Sequence, residues 1–325
     1  MTKNDKELIF NSQESYCKGV KYLITGVDGF VGQYFVEYVQ KYEPNAEILG
    51  VDIAPNCHFP IQKYNSLNLM DKKATSDMMR EFAPDYIVHL ASISSVGYSW
   101  REPVKCFENN TSIMLNILEA IVQNKLKTRV LSIGSSEEYG NIPMPMTEDM
   151  PLNPQNPYAV AKVSQELLGK LYAQSMGVEI VMTRSFNHIG PRQSERFVIP
   201  SFMRQLVNIR QGAENKMLVG NISVARDFSD VRDVVDAYYK ILHNGQKGEV
   251  YNVCSGHAYQ LHEIITMAEE ILDIKVHVEV DAERLRPNDV MLILGDNTKL
   301  RTEIGWQPQY EIKQTITDIL NSMRG

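Results

Sequence analysis

The 325-residue sequence has no apolar run long enough to cross a bilayer, so no transmembrane helix is expected and a soluble chain is. Cysteine is scarce: Cys17, Cys57, Cys106 and Cys254 stand far apart without metal-ligand spacing. Reduced thiols are expected rather than a disulfide framework or a zinc site. The seven histidines, among them His89, His188 and His257, also lack ligand spacing, and no metal is expected. Positive charge is in deficit, 33 basic against 40 acidic side chains for a net charge of −7. That balance argues against a nucleic-acid or anionic-membrane partner, and any anionic ligand must be held by local groups. There is no internal repeat or low-complexity run. Residues 1–20 are polar, carry both signs of charge, and lack the basic start and apolar core of a signal peptide. They read as a loose tail on a cytoplasmic protein.

What is present is ordinary globular composition, 43% hydrophobic and 22% charged, in a chain longer than one core usually serves. From Lys21 short apolar runs at 21–25, 47–52, 86–90, 129–133 and 179–183 alternate with helical stretches at 32–41, 73–82, 110–124 and 157–176. Short strands each followed by a helix call for a parallel sheet covered on both faces, a doubly wound α/β domain. After about Phe186 the alternation fades. A helix-like piece at 231–241 and a strand-like piece at 249–253 then suggest that the chain crosses back to the first domain.

Between the first strand and the first helix lies Thr25-Gly26-Val27-Asp28-Gly29-Phe30-Val31-Gly32. Gly26 permits a tight turn, Gly29 lets the backbone approach a pyrophosphate, and Gly32 lets the helix pack closely on the strand. The helix N-terminus adds free N–H groups and partial positive charge. Asp52 ends the second strand twenty residues beyond Gly32, where its carboxylate can accept hydrogen bonds from an adenosine ribose and would repel a 2′-phosphate. NAD(H) is favoured, with NADP(H) as the alternative.

Tyr158-Ala159-Val160-Ala161-Lys162 places a phenol and an ammonium on one helix face, and Asn156-Pro157 supplies an N-cap and first-turn proline. A nearby lysine favours phenolate and suits tyrosine to acid/base work. Ser135 and Ser136 end a strand, at the mouth where doubly wound sheets bind ligands.

These residues together resemble the extended short-chain dehydrogenase/reductase family, over nearly the whole chain from Lys21 to about Pro308. Further local signatures agree: His89-Leu90-Ala91-Ser92, Ser99-Trp100 before Pro103, Asn110 opening a helix, and Gly305-Trp306-Gln307-Pro308. The resemblance implies a Rossmann domain at 21–186 with a return segment near 231–254. It also implies a smaller mixed α/β C-terminal lobe at 187–230 and 255–325 that binds a nucleotide-sugar. It assigns Ser135 to the reacting oxygen, Tyr158 to acid/base chemistry, and Lys162 to the nicotinamide ribose. Gly26, Gly29, Phe30, Val31, Gly32, Asp52, Asn68, Leu69, Leu90 and Ala91, with Tyr158 and Lys162, would hold the cofactor.

Within the family, the stretches 133–140, 183–191, 224–233, 250–256 and 284–287 are most similar to the reductases of GDP-4-dehydro-6-deoxy-D-mannose. That likeness implies a GDP-sugar bound by Ser95, Ser136, Glu137, Asn187, Val198, Arg226 and Arg286. Arg192 is a further arginine that could pair a diphosphate. It also implies NAD(P)H reducing a C4 ketone, in a homodimer formed through the Asn110 and Tyr158 helices. Ile113, Met114, Ile117, Leu118 and Ile121 make an apolar stripe that serves either that dimer or the sheet. Glu137 stands where sugar 4,6-dehydratases keep a proton-abstracting glutamate, so a dehydratase or 4-epimerase with retained NAD remains an alternative, as does a non-catalytic NAD-binding regulator.

Overall fold

The computed structural model describes residues 19–285 and 290–323. Most of the expected tail and Arg286 lie outside the described residues. Strand β1 (Lys21–Thr25) buries four of its five residues, as β2 (Glu47–Asp52) does its inner four. These pair in parallel with β3 (Lys63–Ser66), β4 (Tyr86–His89), β5 (Arg129–Ser135), β6 (Glu179–Ser185) and β10 (Val250–Val253). The order is β10-β6-β5-β4-β1-β2-β3. Alternate strand residues face two cores, as the two-residue period of a sheet requires. On one face α1 (Phe30–Tyr42) and α7 (Val231–Asn244) pack Phe35, Val39, Val234 and Tyr238 against Ile24, Val88, Leu131 and Val181. On the other, α2 (Lys72–Phe82), α4 (Pro103–Gln123) and α5 (Pro157–Ser175) cover Leu23, Ile87, Val130 and Ile180.

The second lobe packs α6 (Val198–Arg210), α8 (Leu261–Leu272) and α9 (Ile312–Ser322) around Phe202, Leu206, Ile264 and Ile316. A mixed sheet joins β7 (Asn187–Ile189), β9 (Ala225–Asp230), β11 (Ala258–Gln260) and β13 (Leu292–Ile293), with β9 and β11 antiparallel. β8 (Met217–Val219) and β12 (Val278–Val280) form a separate parallel pair. The 255–325 stretch does not belong wholly to this lobe. Leu300 and Trp306 are buried in the core of the large sheet. The Trp306 indole donates to the Asp233 carbonyl at 3.1 Å, and the Asp233 carboxylate accepts the Gln309 and Tyr310 N–H groups.

One expectation about the Asn110 helix is corrected, and of the two alternatives for its apolar stripe the structure shows packing on the sheet. The helix begins at Pro103, whose missing N–H costs nothing in a first turn. Asn110 therefore lies in its interior, fully buried, where its amide brackets the chain after β4: Oδ1 accepts from Ile93 N–H at 2.8 Å and Nδ2 donates to Ile93 O at 3.1 Å. The stripe Ile113, Met114, Ile117, Leu118 and Ile121 is buried within the chain against the sheet, not available to a partner.

His89, at the end of β4, is 1% exposed. A neutral ring with its proton on Nδ1 satisfies both neighbours: it donates to Thr25 Oγ1 at 2.9 Å and accepts from Gln165 Nε2 at 3.3 Å. Burial, reinforced by the Lys162 charge, pulls its pKa down to about 3. Because the folded pKa lies below the unfolded value of about 6.5, this residue leaves stability intact above that pH and removes it as pH falls. Wild type should lose on the order of 2 kcal/mol more than His89→Gln between pH 6.5 and pH 5. Parallel melting-temperature series that fall equally with acid in both proteins would rule this out.

Candidate active site

All seven strands of the large sheet run the same way, so Thr25, Asp52, His89, Ser135 and Ser185 end on one edge. The glycine loop leaves β1 there. Gly26 adopts φ +67°, and a Cβ on it would lie 2.7 Å from the Ala91 nitrogen, so the chain after β4 lies directly against the loop. Leu90 and Ala91 are fixed by hydrogen bonds from their N–H groups to the Thr25 carbonyl and hydroxyl. Gly29 is the N-cap of α1 without any side-chain cap, so Phe30, Val31 and Gly32 present their N–H groups at an open helix end. A Cβ on Gly32 would collide with the carbonyl oxygens of Val27 and Gly26. These close approaches fit a pyrophosphate cradle.

Asp52 is held by the same loop, its carboxylate accepting from Asp28 N–H at 3.1 Å and Ile53 N–H at 2.7 Å. Asp28 adds a second carboxylate, tied to the backbone and ring of His58 and to the Cys57 thiol. Partial burial works against its ionisation, but the His58 and Cys57 bonds outweigh that and hold its pKa below the usual range. Asn68 is exposed just beyond β3, its side chain accepting the Met70 N–H, whereas Leu69 is buried beneath it.

Ser135 ends β5 and caps a 3₁₀ turn at Ser136–Glu138. Its hydroxyl accepts Glu137 N–H at 3.2 Å, while Glu138 Oε1 accepts Ser135 N–H at 2.7 Å. The Asn156 side chain caps α5 by accepting Ala159 N–H and donates to Glu137 Oε2 at 2.8 Å, so turn and helix are stitched together. Tyr158 then falls in the first helical turn, with the Ser135 hydroxyl hydrogen-bonded to its phenol. One turn later Lys162 donates to the Ile133 carbonyl at 2.8 Å, its Nζ 5.7 Å from the Tyr158 ring centroid. Burial keeps the Tyr158 phenol well above its ordinary pKa, with Ser135 pulling it back and the Glu138 and Glu137 carboxylates adding to the rise. Burial brings Lys162 down to about 8, against an opposing pull from Glu138. A neutral phenol and a cation at one oxygen-sized site can give a proton and steady the charge left behind.

Other expected residues are distributed more widely. Ser136 is buried in the turn, and Ser95 is exposed and caps the short α3 (Val96–Arg101) through Tyr98 N–H. Asn187 opens β7 with its side chain exposed, and Val198, 40% exposed, opens α6. Arg226 donates to the Ala225 and Val290 carbonyls at 2.9 and 2.7 Å. Along α6 from Val198 lies an open cavity of about 460 Å³ lined by Ser201, Gln205, Lys216, Leu218 and Arg284. Arg192 is not a diphosphate group: its fork grips Glu37 at 2.6 and 2.9 Å over the Tyr34 ring. Asn156 was read as the helix cap but not as a partner of Glu137, and Glu138 and the buried Arg184–Glu166 pair were not foreseen. The Ser-x-x-Glu spacing of a capping box was the available signal for Glu138.

Known proteins point the same way. A family model described as GDP-mannose 4,6 dehydratase matches residues 23–319. GDP-6-deoxy-D-mannose reductase of Pseudomonas aeruginosa is 32% identical over 92% of this chain and 95% of its own length. The structure of RMD from Pseudomonas aeruginosa complexed with NADPH superposes with a TM-score of 0.84 at 31% identity, covering 93% of this chain and 98% of that one. UDP-glucose 4-epimerase of Thermus thermophilus, complexed with NAD, gives a TM-score of 0.83 at 26% identity over 94% and 99%.

The loop geometry sets a direct expectation. Gly32→Ala must push α1 away from β1, lowering stability by about 1–3 kcal/mol and weakening dinucleotide binding at least about tenfold through the displaced helix end. Thermal unfolding and cofactor fluorescence titration measure the two effects, and wild-type affinity in this variant would contradict the cradle.

Proposed function

The chain belongs to the GDP-mannose 4,6-dehydratase family of extended short-chain dehydrogenase/reductases, and from that premise we propose that it reduces the C4 ketone of GDP-4-dehydro-6-deoxy-D-mannose to give GDP-6-deoxy-D-mannose, GDP-D-rhamnose. As a member it is an NAD(P)-dependent oxidoreductase. The observation that carries the finer reading is similarity to the Pseudomonas reductase over 92% of the chain, and the nearness of Ser135, Tyr158 and Lys162 at one strand end supports it. A bound reduced nicotinamide supplies the hydride that adds to C4. Tyr158, kept neutral by burial, donates its proton to the C4 oxygen. Ser135 donates a hydrogen bond to the same oxygen, and Lys162 binds the nicotinamide ribose while its charge stabilises the phenolate left on Tyr158. Asn187, Val198 and Arg226 receive the nucleotide half of the substrate on the second lobe.

NAD(H) is the preferred cofactor in this reading, because two carboxylates, Asp28 and Asp52, stand where a 2′-phosphate would approach. The NADPH complex of the Pseudomonas relative makes NADP(H) the alternative. The rival activity, dehydration or 4-epimerisation with retained NAD, draws on the family model and the Thermus epimerase. Against dehydration, Glu137 is engaged as a bracket to the cap of α5 through Asn156. Stoichiometry discriminates: a reductase consumes one reduced cofactor per product, and the rivals regenerate theirs.

A cytoplasmic homodimer completes the reading. The outward faces of the adjacent α4 and α5 expose Val104, Phe107 and Leu115, and Val160, Leu167 and Leu171. Two helices offering apolar residues at steps of three and eight on α4 and seven and four on α5, each keeping to one helix face, suit a four-helix contact with a second copy. Leu171→Glu should therefore shift the sedimentation coefficient from dimer to monomer. A monomeric wild type, or a variant that stays dimeric, would reject this interface.

Adding GDP-4-dehydro-6-deoxy-D-mannose to enzyme with NADH, and in parallel NADPH, should consume one cofactor per sugar reduced, with GDP-D-rhamnose identified by NMR. Tyr158→Phe should lower turnover by about 10²–10⁴-fold with nucleotide affinity retained. No cofactor oxidation, or a phenylalanine variant with full turnover, would defeat the assignment of reaction or of proton donor respectively.

A further inference from the structure

Glu138 has no role in the reaction just described, but it is completely buried beside the trio. Its Oε1 accepts Ser135 N–H at 2.7 Å, and a Cβ on Gly134 would fall on that oxygen, so the glycine makes room for the carboxylate. Two residues back along β5, the Ile133 carbonyl holds Lys162 Nζ at 2.8 Å. Carboxylate and ammonium thus hang from consecutive peptide units of one strand, on either side of Gly134. Glu138 Oε2 is buried with no hydrogen-bond partner among the described residues.

Other charges act on Glu138 too: Glu166 opposes its ionisation, and Arg184 favours it ahead of Lys162. On β6, Arg184 is forked onto Glu166 of α5 at 2.8 Å through each of two nitrogens, and Lys170 adds a third contact to that carboxylate. Glu148 faces Arg184 from the loop beyond the turn. Glu137 and Tyr158 lie towards the substrate side, with Tyr238 of α7 behind the phenol. His89 of β4, held neutral, and Cys106 of α4 are the other titratable groups that sense Lys162. Glu138 is the carboxylate left to face the lysine, in an interior where charge is poorly screened.

We propose that Glu138 is a positioning residue, which fixes Ser135 through its backbone N–H and sets an ionisable buried carboxyl within electrostatic reach of Lys162. The proposal rests on Ser135, Tyr158 and Lys162 being the catalytic trio. Its electrostatic side has a definite sign. Burial favours neutral Lys162, and Glu138 leads the opposing influences. Burial and then Glu166 push the Glu138 carboxyl up to about 8, with Ser135 N–H, Arg184 and Lys162 pulling it back, so its negative charge develops in the same range in which Lys162 loses its proton. Deleting the Glu138 charge makes Lys162 lose its proton at lower pH.

Glu138→Gln keeps an oxygen for Ser135 N–H and removes only the charge. In protein labelled with ¹³C at the lysine ε-carbon, with Lys162→Arg identifying the signal, the Lys162 midpoint should fall by about one pH unit or more in Glu138→Gln. The alkaline limb of kcat/KM for ketone reduction should move with it. Glu138→Asp, which keeps the charge, should stay closer to wild type. An unchanged Lys162 midpoint in folded Glu138→Gln overturns the proposal. If that variant does not fold, wild type alone decides: coupling requires a second inflection in the Lys162 signal from Glu138, and a single-step titration overturns it equally. The NMR readouts need no substrate, so a wild-type enzyme that oxidises no NAD(P)H defeats the reductase reading and leaves the test of Glu138 standing.

Discussion

Parallel pairing of the seven strands is the constraint from which the site follows. Strands that all run one way must all end on one edge, and the loops leaving that edge are the only ones that can converge there. The glycine loop, the carboxylate of Asp52, the Leu90–Ala91 segment and the Ser135 turn come from four different strands, yet each needs only a step of one to several residues past its strand to reach the same rim. The close contact between Gly26 and Ala91 is a direct product of this convergence. β10 returns to pair with β6 between the two parts of the second lobe, so the chain leaves the large sheet for that lobe after β6 and again after β10.

Beneath the rim, the inner face of α5 departs from the usual apolar stripe. Tyr158, Lys162, Gln165 and Glu166 are all buried on it, and each is matched by a partner on a strand, turn or neighbouring helix. Burying an ion pair such as Arg184–Glu166 gains little over well-packed hydrophobes, because desolvation offsets most of the attraction. Breaking it would leave an unpaired buried charge and be far more destabilising. The layer is therefore best understood as a device for geometry: it sets the height and rotation of α5 against β5 and β6, and hence the place of Tyr158 relative to Ser135.

Much of this was legible in the residues. The strand runs at 21–25 and 47–52 coincide with β1 and β2 because central parallel strands are apolar on both faces and leave little ambiguity. The Asn156-Pro157 pair located the start of α5 for a similarly local reason. Asn110 misled because an asparagine commonly opens helices, and only tertiary structure reveals that its amide is bracketing Ile93 within a longer helix begun by Pro103. β3, β7, β8, β11, β12 and β13, of two to four residues, carry too few positions for a two-residue period to register. The partners of Arg184 and Arg192 depend on distant neighbours that no spacing encodes.

Choice among the activities of this family cannot reside in the trio, because reduction, dehydration and epimerisation all use a tyrosine, a lysine and a nicotinamide. It depends on what happens to the cofactor afterwards. An enzyme that consumes reduced cofactor must release the oxidised form every cycle, whereas one that regenerates its NAD gains by holding it. Here the loop after β2 that flanks the Asp52 position is fastened to the glycine loop through Asp28 and His58, and the His58 side chain is 78% exposed while Ile53 is 72% exposed. Exposed polar contacts of this kind contribute little to stability and open readily. The loop also packs Phe59 and Ile61 against the core of the large sheet, so the exposed latch is one of two attachments beside Asp52.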